Sequence, residues 1–431
     1  KAGQPLGVDQ IPTKHIDKTG VHNQGILVNF ESFNFHPSIM GGIRALGYTK
    51  PTPIQFQSMQ SILQGRDLIG LAQTGTGKTA AFGLPILQRL ISSPRGRVGA
   101  LIISPTRELT EQTCDASNAL SRHTGLKSTA IYGGVSMHQQ IGKLRNGVEI
   151  VTACPGRLLD HLYKGTIDLS QLEILVLDEA DRMFDMGFLP DVRNILKCIL
   201  HRRQTLLFSA TMPKDVRRLV KEILHEPVTV QIGHIAPADT VSHALYPVKQ
   251  HLKTALLKHL LRGIETESVL IFTRTKHRAK RVAEQLYKSG YNVTSLQGNL
   301  LQSQRQAALD GFRSGSFKIL VATDIAARGI DVLSISHVIN YDMPETTDDY
   351  SHRIGRTGRV NQNGDAYSFV TSKDAGTVRS LEKLFKEPLE HRTIEGFNYA
   401  MPEPEGNSGR PPRKLRPRSS QNNRPRRRKL I

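Results

Sequence analysis

The fold is decided by the glycine-rich stretch Ala72-Gln73-Thr74-Gly75-Thr76-Gly77-Lys78-Thr79. An apolar run at residues 67–71 comes directly before it, and residues 78–90 have a helical pattern. In a strand–loop–helix unit, backbone N–H groups surround phosphate oxygens and the helix N-terminus adds its positive dipole end. Lys78 supplies a charge for the β- and γ-phosphates, and the Thr79 hydroxyl can ligate magnesium. The stretch predicts a nucleoside triphosphate site; the alternative is a glycine-rich turn without a ligand.

Short apolar runs alternate with helical patterns on both sides of this loop. They lie at residues 100–103, 174–177, 205–208, 269–272, 318–321 and 337–340. Uninterrupted apolar runs of this length are typical of strands buried on both faces, which predicts parallel strands with crossover helices. The alternation stops at residues 233–240, which contain Gly and Pro and are typical of a linker. Two α/β units in tandem are therefore expected.

The predicted organisation has five parts. They are an N-terminal extension (1–28), a first domain (29–233), a linker (234–243), a second domain (244–398) and a disordered basic tail (399–431). Residues 410–431 hold ten Lys or Arg and no acid, about half of the formal net charge of +20. Such a tail favours nonspecific attraction to phosphates; a nuclear import signal is the alternative.

Composition excludes several classes of protein. The 431 residues include 58 Lys or Arg against 38 acids, which favours a nucleic acid partner over a membrane. The three cysteines are too few and too far apart for a disulfide framework or a zinc cluster, which fits a reducing compartment. No apolar run approaches the roughly 18 residues of a membrane span. We expect a cytoplasmic protein that acts as a monomer, without a membrane.

An acidic cluster, Asp178-Glu179-Ala180-Asp181, follows the apolar run at 174–177. The carboxyl ends of strands line the ligand crevice of an open α/β sheet, so these acids and the phosphate loop are expected to converge. Asp178 would hold the metal ion, and Glu179 would orient or deprotonate the attacking water. The alternative is a surface cluster that caps the next helix.

These motifs resemble the ordered signature of the DEAD-box RNA helicases. The resemblance also includes Phe30, Pro51-Thr52-Pro53-Ile54-Gln55 and Ser209-Ala210-Thr211, and extends to about Phe397. In detail the sequence is most similar to the bacterial RhlE-type subgroup. The resemblance implies two RecA-like domains, each a mostly parallel sheet with helices on both faces, and ATP and Mg²⁺ as cofactors.

The resemblance also assigns roles within the first domain. Gln55 would recognise adenine, because its amide can both donate and accept, and Phe30 would stack on the base. A core phenylalanine is the alternative for Phe30. Ser209 and Thr211 would couple the acidic cluster, through Asp181, to RNA-dependent closure.

An arginine-rich motif in the second domain contains His352, Arg356 and Arg359. Their spacing of i, i+4 and i+7 predicts one face of a helix, and planar guanidinium groups suit a transferring phosphoryl group. Arg356 and Arg359 would act as arginine fingers once the domains dock; a solvated basic face is the alternative. The resemblance places Asp331 on the ribose and gives Arg328 a coupling role. For both of these residues the alternative is a salt bridge.

The family's RNA contacts correspond to residues in both domains. They are Thr106, Arg107, Gly134, Pro155, Gly156, Arg157, Gln302, Arg305 and Thr323. Such contacts follow the sugar–phosphate backbone and carry no base sequence information. Cys154 stands where the family usually has threonine, and Gln297 stands where many members have histidine.

The expected function is an ATP-dependent RNA helicase that separates short duplexes or remodels RNA–protein complexes, with RNA-stimulated hydrolysis. Its partner would be single-stranded RNA or short duplexes. An alternative is an ATP-gated RNA clamp or assembly factor in ribosome biogenesis or RNA decay, in which unwinding is incidental. A third possibility is a DNA-directed helicase or translocase.

Overall fold

In the part of the chain that the structure describes, two seven-stranded parallel sheets form the framework. The computed structural model describes residues 29–73, 75–199, 201, 203–232, 241–264, 268–327, 335–358 and 364–403. Every strand pair in these ranges is parallel. No helix in the described part of the chain is long and apolar enough to cross a membrane.

The first sheet collects strands from the N-terminal half of the chain. Its strands are β1 (Leu68–Leu71), β2 (Ala100–Ile103), β3 (Ser128–Ile131), β4 (Ile150–Ala153), β5 (Ile174–Leu177), β6 (Gln204–Ser209) and β7 (Val228–Gln231). Their order is β3-β4-β2-β5-β6-β1-β7, so the strand before the phosphate loop lies next to β6. The three strands β2, β4 and β5 are buried at every position, as their apolar sequences predict.

Among the described residues, nine α-helices cover the two faces of this sheet. They are α1 (Pro37–Ala45), α2 (Pro53–Leu63), α3 (Lys78–Leu90), α4 (Arg107–Leu120), α5 (Met137–Arg145), α6 (Pro155–Tyr163), α7 (Ala180–Asp185), α8 (Leu189–Lys197) and α9 (Lys214–Ile223). One apolar core includes residues of α1, α2 and α3, and a second core on the other face includes residues of α6 to α9. Because parallel strands end at one edge of the sheet, the loops after β1, β5 and β6 lie side by side.

The second sheet has the same size. Its strands are β8 (Val241–Pro247), β9 (Val269–Phe272), β10 (Val293–Leu296), β11 (Ile319–Ala322), β12 (His337–Asn340), β13 (Gly364–Val370) and β14 (Glu390–His391), in the order β10-β11-β9-β12-β13-β8-β14. Its helices are α10 (Lys253–Gly263), α11 (Lys276–Tyr287), α12 (Gln302–Arg313), α13 (Asp324–Ala327), α14 (Thr347–Ile354) and α15 (Ala375–Phe385). The architecture is therefore two tandem RecA-like domains, as the sequence predicts.

The apolar runs are confirmed as strands, and α3 has the predicted bounds. Two predicted boundaries are wrong. Residues 241–243, placed in the linker, begin β8, because Val241 pairs with Gly364 of β13. Residues 399–403, placed in the tail, still contact the second domain: Tyr399 packs on Phe397, and the Met401 carbonyl is 3.0 Å from His251 Nε2. Residues 1–28, 233–240 and 404–431 lie outside the described residues.

A close approach of α1 to α4 gives a test of the packing. A Cβ at Gly42 would overlap the backbone carbonyl of Leu120, whereas a Cβ at Gly142 of α5 would meet open space. Gly42→Ala should lower the free energy of unfolding by about 1–3 kcal/mol through overpacking. Gly142→Ala should be neutral or raise it by about 0.5–1 kcal/mol through helix propensity. Thermal unfolding of both variants checks the packing, and equal midpoints would contradict it.

Candidate functional site

The phosphate loop is held from several sides. The Lys78 ammonium is buried and donates to the Ala72 carbonyl at 2.9 Å, so the cation spans the loop. Ala72 N–H donates to Ser209 O at 3.0 Å, which fixes the start of the loop to β6. Gly75 and Gly77 have φ of 86° and 91°, a region in which L side chains are strained. Thr74 lies outside the described residues.

Gln55 connects α2 to the phosphate loop. Its Oε1 accepts from Thr52 N–H at 2.9 Å, and its Nε2 donates to Gly77 O at 3.1 Å. A side-chain amide offers two hydrogens and two acceptor positions, so one of each remains for a ligand. Thr52 strengthens the same junction, because its hydroxyl donates to Thr76 O at 2.8 Å. The side chain predicted to recognise adenine therefore also braces the loop.

Phe30 lies in the apolar core of the first domain. Its side chain is 3% exposed, and its ring stacks on Tyr48 with a centroid distance of 6.4 Å. The structure matches the alternative of a core phenylalanine. Stacking on a base remains a prediction.

The acidic cluster lies at the carboxyl end of β5, where Asp178 and Glu179 are each 3% exposed. Burial raises the pKa of Asp178 to about 7, although the Lys78 cation lowers it. Burial alone would also raise the pKa of Glu179, but Arg182, Lys78 and Arg356 outweigh it, so the net shift is downward. Glu179 has φ 52° and ψ 52°, an unusual backbone conformation outside glycine that marks the sharp turn into α7. The cluster is buried, so the alternative of a surface cluster is wrong.

Asp181 is bonded to the segment that follows β6. Its Oδ2 accepts from Ala210 N–H, Thr211 N–H and the Thr211 hydroxyl at 3.2, 2.8 and 2.9 Å. Asp181 N–H donates to Ser209 Oγ at 3.1 Å. The structure therefore brings together three of the four residues for which the sequence predicts coupling; the fourth, Arg328, lies outside the described residues.

Arg182 is a site residue that the sequence motifs did not predict. It is 3% exposed, and its Nη1 forms an ion pair with Glu179 Oε2. The i, i+3 spacing of Glu and Arg at the start of a helix could have identified this pair. Arg182 holds the Glu179 carboxylate in its charged form.

The arginine-rich motif does not form one continuous helix, so that prediction is wrong. His352 lies in α14, but α14 ends at Ile354, with Gly355 as its C-cap. Arg356 follows in a turn that is fixed because Thr357 bridges to Ile335. Arg356 is 3% exposed, which excludes a solvated basic face at this position. Three further predicted site residues lie outside the described ranges: Arg328, Asp331 and Arg359.

His352 and Arg356 face the acidic cluster of the first domain. They line one cavity together with Arg182. Burial lowers the pKa of His352, and the nearby Arg182 cation lowers it further. Arg356 helps to lower the pKa of Glu179. Groups from both domains therefore surround one small space.

Arg353 organises the second domain behind this space. Its Nε and Nη2 donate to the two carboxylate oxygens of Asp324 at 2.6 and 2.7 Å. Its Nη1 donates to Asn340 Oδ1 at 3.0 Å and to Asp342 O at 2.7 Å. Arg353 is 3% exposed and Asp324 is half-buried, so a bidentate ion pair with a buried guanidinium fixes the start of α13 against α14.

The predicted RNA residues of the first domain lie together. A Cβ at Gly133 would contact both Arg107 and Arg157, and a Cβ at Gly134 would overlap Arg107. Arg157 Nη1 donates to Val135 O at 3.2 Å. Thr106 is buried, and its hydroxyl oxygen accepts from Leu109 N–H at 3.2 Å as the N-cap of α4. Two guanidinium groups and a glycine turn thus form a small basic surface.

This surface continues at the start of α6. Pro155 is buried as the first residue of α6, and Gly156 is exposed after it. The buried Cys154 precedes them, and its Sγ lies 3.2 Å from Thr110 Oγ1. Burial raises the pKa of Cys154 to about 12, so the thiol stays neutral.

The predicted RNA residues Gln302 and Arg305 reach across to the first domain. Arg305 donates to Glu108 Oε1 through Nε at 2.7 Å and through Nη2 at 2.6 Å. Gln302 Oε1 accepts from Arg107 Nη1 at 3.3 Å. Thr323 remains half-buried before α13. The sequence did not predict the interdomain contacts of Gln302 and Arg305.

Magnesium would be held by few protein groups. Among the described residues, no cluster of three or more His, Cys, Asp or Glu could hold a metal ion. Magnesium commonly binds through one or two protein oxygens together with substrate phosphates. The buried Asp178 carboxylate, near enough to Lys78 for that cation to lower its pKa, and the half-buried Thr79 hydroxyl are oxygen donors of this kind. These residues therefore fit magnesium bound with a nucleotide.

Two family profiles match the chain. The DEAD/DEAH box helicase profile matches residues 52–219, and the helicase conserved C-terminal domain profile matches residues 252–361. The chain is 40% identical over 365 residues to the ATP-dependent RNA helicase CshA of Listeria monocytogenes, covering 84% of this chain and 70% of the relative. The chain belongs to the DEAD-box family of ATP-dependent RNA helicases.

Other DEAD-box proteins are similar over much of their length. DEAD-box ATP-dependent RNA helicase 30 of Arabidopsis thaliana is 43% identical over 369 residues, covering 83% of this chain and 62% of the relative. The structure of S. cerevisiae Dbp5 bound to RNA and ADP BeF3 matches with a TM-score of 0.76 and 30% identity, covering 84% of this chain and 95% of that chain. The structure of Mss116p bound to ssRNA and AMP-PNP matches with a TM-score of 0.77 and 26% sequence identity, covering 87% of this chain and 81% of that chain. Membership of the RhlE-type subgroup remains a prediction.

The two hydrogen bonds of Gln55 can be tested with an isosteric change. Gln55→Glu keeps the acceptor for Thr52 N–H but removes the donor to Gly77 O, leaving two oxygens in contact. We expect the KM for ATP to rise by about tenfold, because a carboxylate oxygen would then face the Gly77 carbonyl, which would keep only its bond from Ala81 N–H. Gln60→Glu, on an exposed position of α2, is the matched control. An unchanged KM in Gln55→Glu would show that the loop does not need this donor.

Proposed function

We propose that this DEAD-box helicase couples RNA binding to ATP hydrolysis by completing one active site from two domains. The observation that carries the proposal is the shared cavity of Arg182, from the first domain, with His352 and Arg356, from the second. Groups divided in this way act together only when the domains are docked. RNA that contacts both domains would favour docking and therefore hydrolysis.

Each residue near the triphosphate has a proposed task. Lys78 and the N–H groups of residues 75–79 would bind the β- and γ-phosphates, and Gln55 would bind adenine. Asp178 and Thr79 would hold Mg²⁺, which neutralises phosphate charge when it is bound. Arg356, and Arg359 beyond the described residues, would stabilise the charge of the transferring phosphoryl group.

Glu179 is the proposed base. Its lowered pKa supports an ionised carboxylate near neutral pH, as a proton acceptor requires. It would orient the attacking water and take its proton as the water oxygen bonds to the γ-phosphorus and the bond from that phosphorus to the departing ADP oxygen breaks. Asp181 is hydrogen-bonded to Ser209 and Thr211, so a displacement of the acidic cluster would also displace the segment after β6.

The RNA would lie along Arg107, Gly134 and Arg157 in the first domain and along the loops before α12 and α13 in the second. Guanidinium groups and exposed glycine backbone suit phosphate oxygens. Bending one strand of a short duplex across both domains would separate it from its partner. We further propose a cytoplasmic, monomeric protein of the RhlE-type subgroup that acts on ribosomal precursor particles or with RNA-decay machinery.

The proposal requires hydrolysis that responds to RNA. ATP hydrolysis should rise when single-stranded RNA is added and should rise much less with DNA of the same sequence, because only RNA offers 2′-hydroxyl groups. Steady-state hydrolysis over a range of each strand measures this. Indifference to RNA would contradict the proposal, and equal stimulation by DNA would favour a DNA-directed helicase.

The assignment of Glu179 has its own test. Glu179→Gln should lower the RNA-stimulated kcat by about 10²–10⁴-fold, because the amide cannot accept a proton. Affinities for ATP and RNA should stay within a few-fold of the parent values. Single-turnover hydrolysis and equilibrium binding separate the two effects. Glu222→Gln, which alters an exposed Glu–Arg pair with Arg193, is the matched control, and near-normal turnover in Glu179→Gln would refute the role.

A further inference from the structure

Asp342 is a buried carboxylate on the connection from β12 to α14, with a side chain that is 3% exposed. Its Oδ1 accepts from Arg278 Nη1 at 2.8 Å and from Lys253 Nζ at 3.3 Å. Its Oδ2 accepts from the backbone N–H of Arg274 at 3.0 Å. Donors therefore occupy both oxygens, and none of these contacts belongs to the nucleotide or RNA residues assigned above.

The Arg274 N–H belongs to the segment that follows β9, residues 273–276, which ends with the first residue of α11 and which we name the β9 loop. Arg274 and Lys276 of this loop are exposed cations, and Arg274 Nη2 donates to Met343 O at 3.3 Å. Lys276 Nζ donates to Asn299 Oδ1 at 2.9 Å, three residues before Gln302, which contacts the first domain. The β9 loop thus lies beside the proposed RNA path and offers it two positive charges.

The backbone of Asp342 faces the other functional loop of the domain. Its carbonyl oxygen accepts from Arg353 Nη1 at 2.7 Å, and the same guanidinium forms the bidentate ion pair with Asp324. Arg356 follows three residues later. A single residue therefore holds the phosphate side of the second domain through its carbonyl and the RNA side through its carboxylate.

We propose that Asp342 is a positioning residue for RNA binding: its carboxylate fixes the β9 loop so that Arg274 and Lys276 meet the RNA backbone. This inference rests on the proposed function, because it assumes that RNA crosses this edge of the second domain. The two cations on Oδ1 compensate for burial of the carboxylate, which leaves Oδ2 for the loop.

Only a carboxylate at position 342 can accept hydrogen bonds from the two cations and from the Arg274 N–H at once. Asparagine has nearly the same shape, but it offers an acceptor oxygen on one side and two N–H donors on the other. If its oxygen faced Lys253 and Arg278, its amide nitrogen would face the Arg274 N–H, and two donors would oppose each other. The β9 loop would then lose its hydrogen bond to the side chain of residue 342, although that side chain would keep nearly the same volume.

The test is the RNA concentration that gives half-maximal ATP hydrolysis. Asp342→Asn should raise this concentration by about tenfold, the effect of losing a charge-assisted hydrogen bond. The KM for ATP at saturating RNA should remain within twofold, because the carbonyl contact with Arg353 is retained. Asp310→Asn, an exposed carboxylate on α12, removes the same charge and should change neither value.

A second pair of variants separates positioning from folding. Lys253→Met removes the Nζ bonds to Asp342 Oδ1 and Tyr341 O, so it should lower thermal stability. It keeps the bond of Oδ2 to Arg274 N–H and the Arg278 ion pair, so its RNA requirement should stay within twofold of the parent value. Adding Asp342→Asn to Lys253→Met should again raise the RNA requirement by about tenfold. Equal RNA requirements in these two variants, or a parallel loss of ATP affinity, would overturn the inference. A parent protein that does not respond to RNA would instead overturn the proposed function.

Discussion

A buried carboxylate that stays ionised is the constraint on which the site depends. Transfer of Glu179 from water into the protein disfavours its charge, and three cations reverse that preference. Arg182 and Lys78 come from the first domain, but Arg356 comes from the second. The proton affinity of the proposed base is therefore partly a property of the docked pair of domains. The αL conformation of Glu179 costs of order 1–3 kcal/mol, and the fully buried strand β5 before it keeps the turn in place.

The two domains meet at two separate groups of charged residues. On the phosphate side, His352 and Arg356 lie near Arg182 and Glu179. On the RNA side, Arg305 pairs with Glu108, and Gln302 accepts from Arg107. One group alone would leave the domains free to rotate about it, whereas two groups fix their relative orientation. In the first domain, Arg107 and Glu108 follow β2 while Glu179 and Arg182 follow β5, so the topology of that sheet brings both groups to one edge of the domain.

The sequence predicts the parts of this molecule that depend on local pattern. Apolar runs became strands, and α3 begins at Lys78 as the phosphate loop requires. Predictions failed where a residue distant in the sequence determines the local conformation or contact. Arg356 leaves the helix because Gly355 ends it and Thr357 bridges to Ile335. Spacing alone contains no information about that bridge, nor about the Arg305–Glu108 pair, whose members are almost two hundred positions apart.

The RNA-side contacts also narrow how RNA can bind. Both donors of Arg305 that face Glu108 use the same carboxylate oxygen, and the pair is largely buried, so Arg305 is poorly placed to neutralise a phosphate while the domains are docked. Gln302 differs, because its Nε2 is buried without a hydrogen-bond partner among the described residues. A buried donor without an acceptor is costly, and an RNA oxygen at that point would remove the cost. RNA binding would then be strongest in the docked arrangement that also places Arg356 beside Glu179, so binding and hydrolysis share one conformation without a separate signal between them.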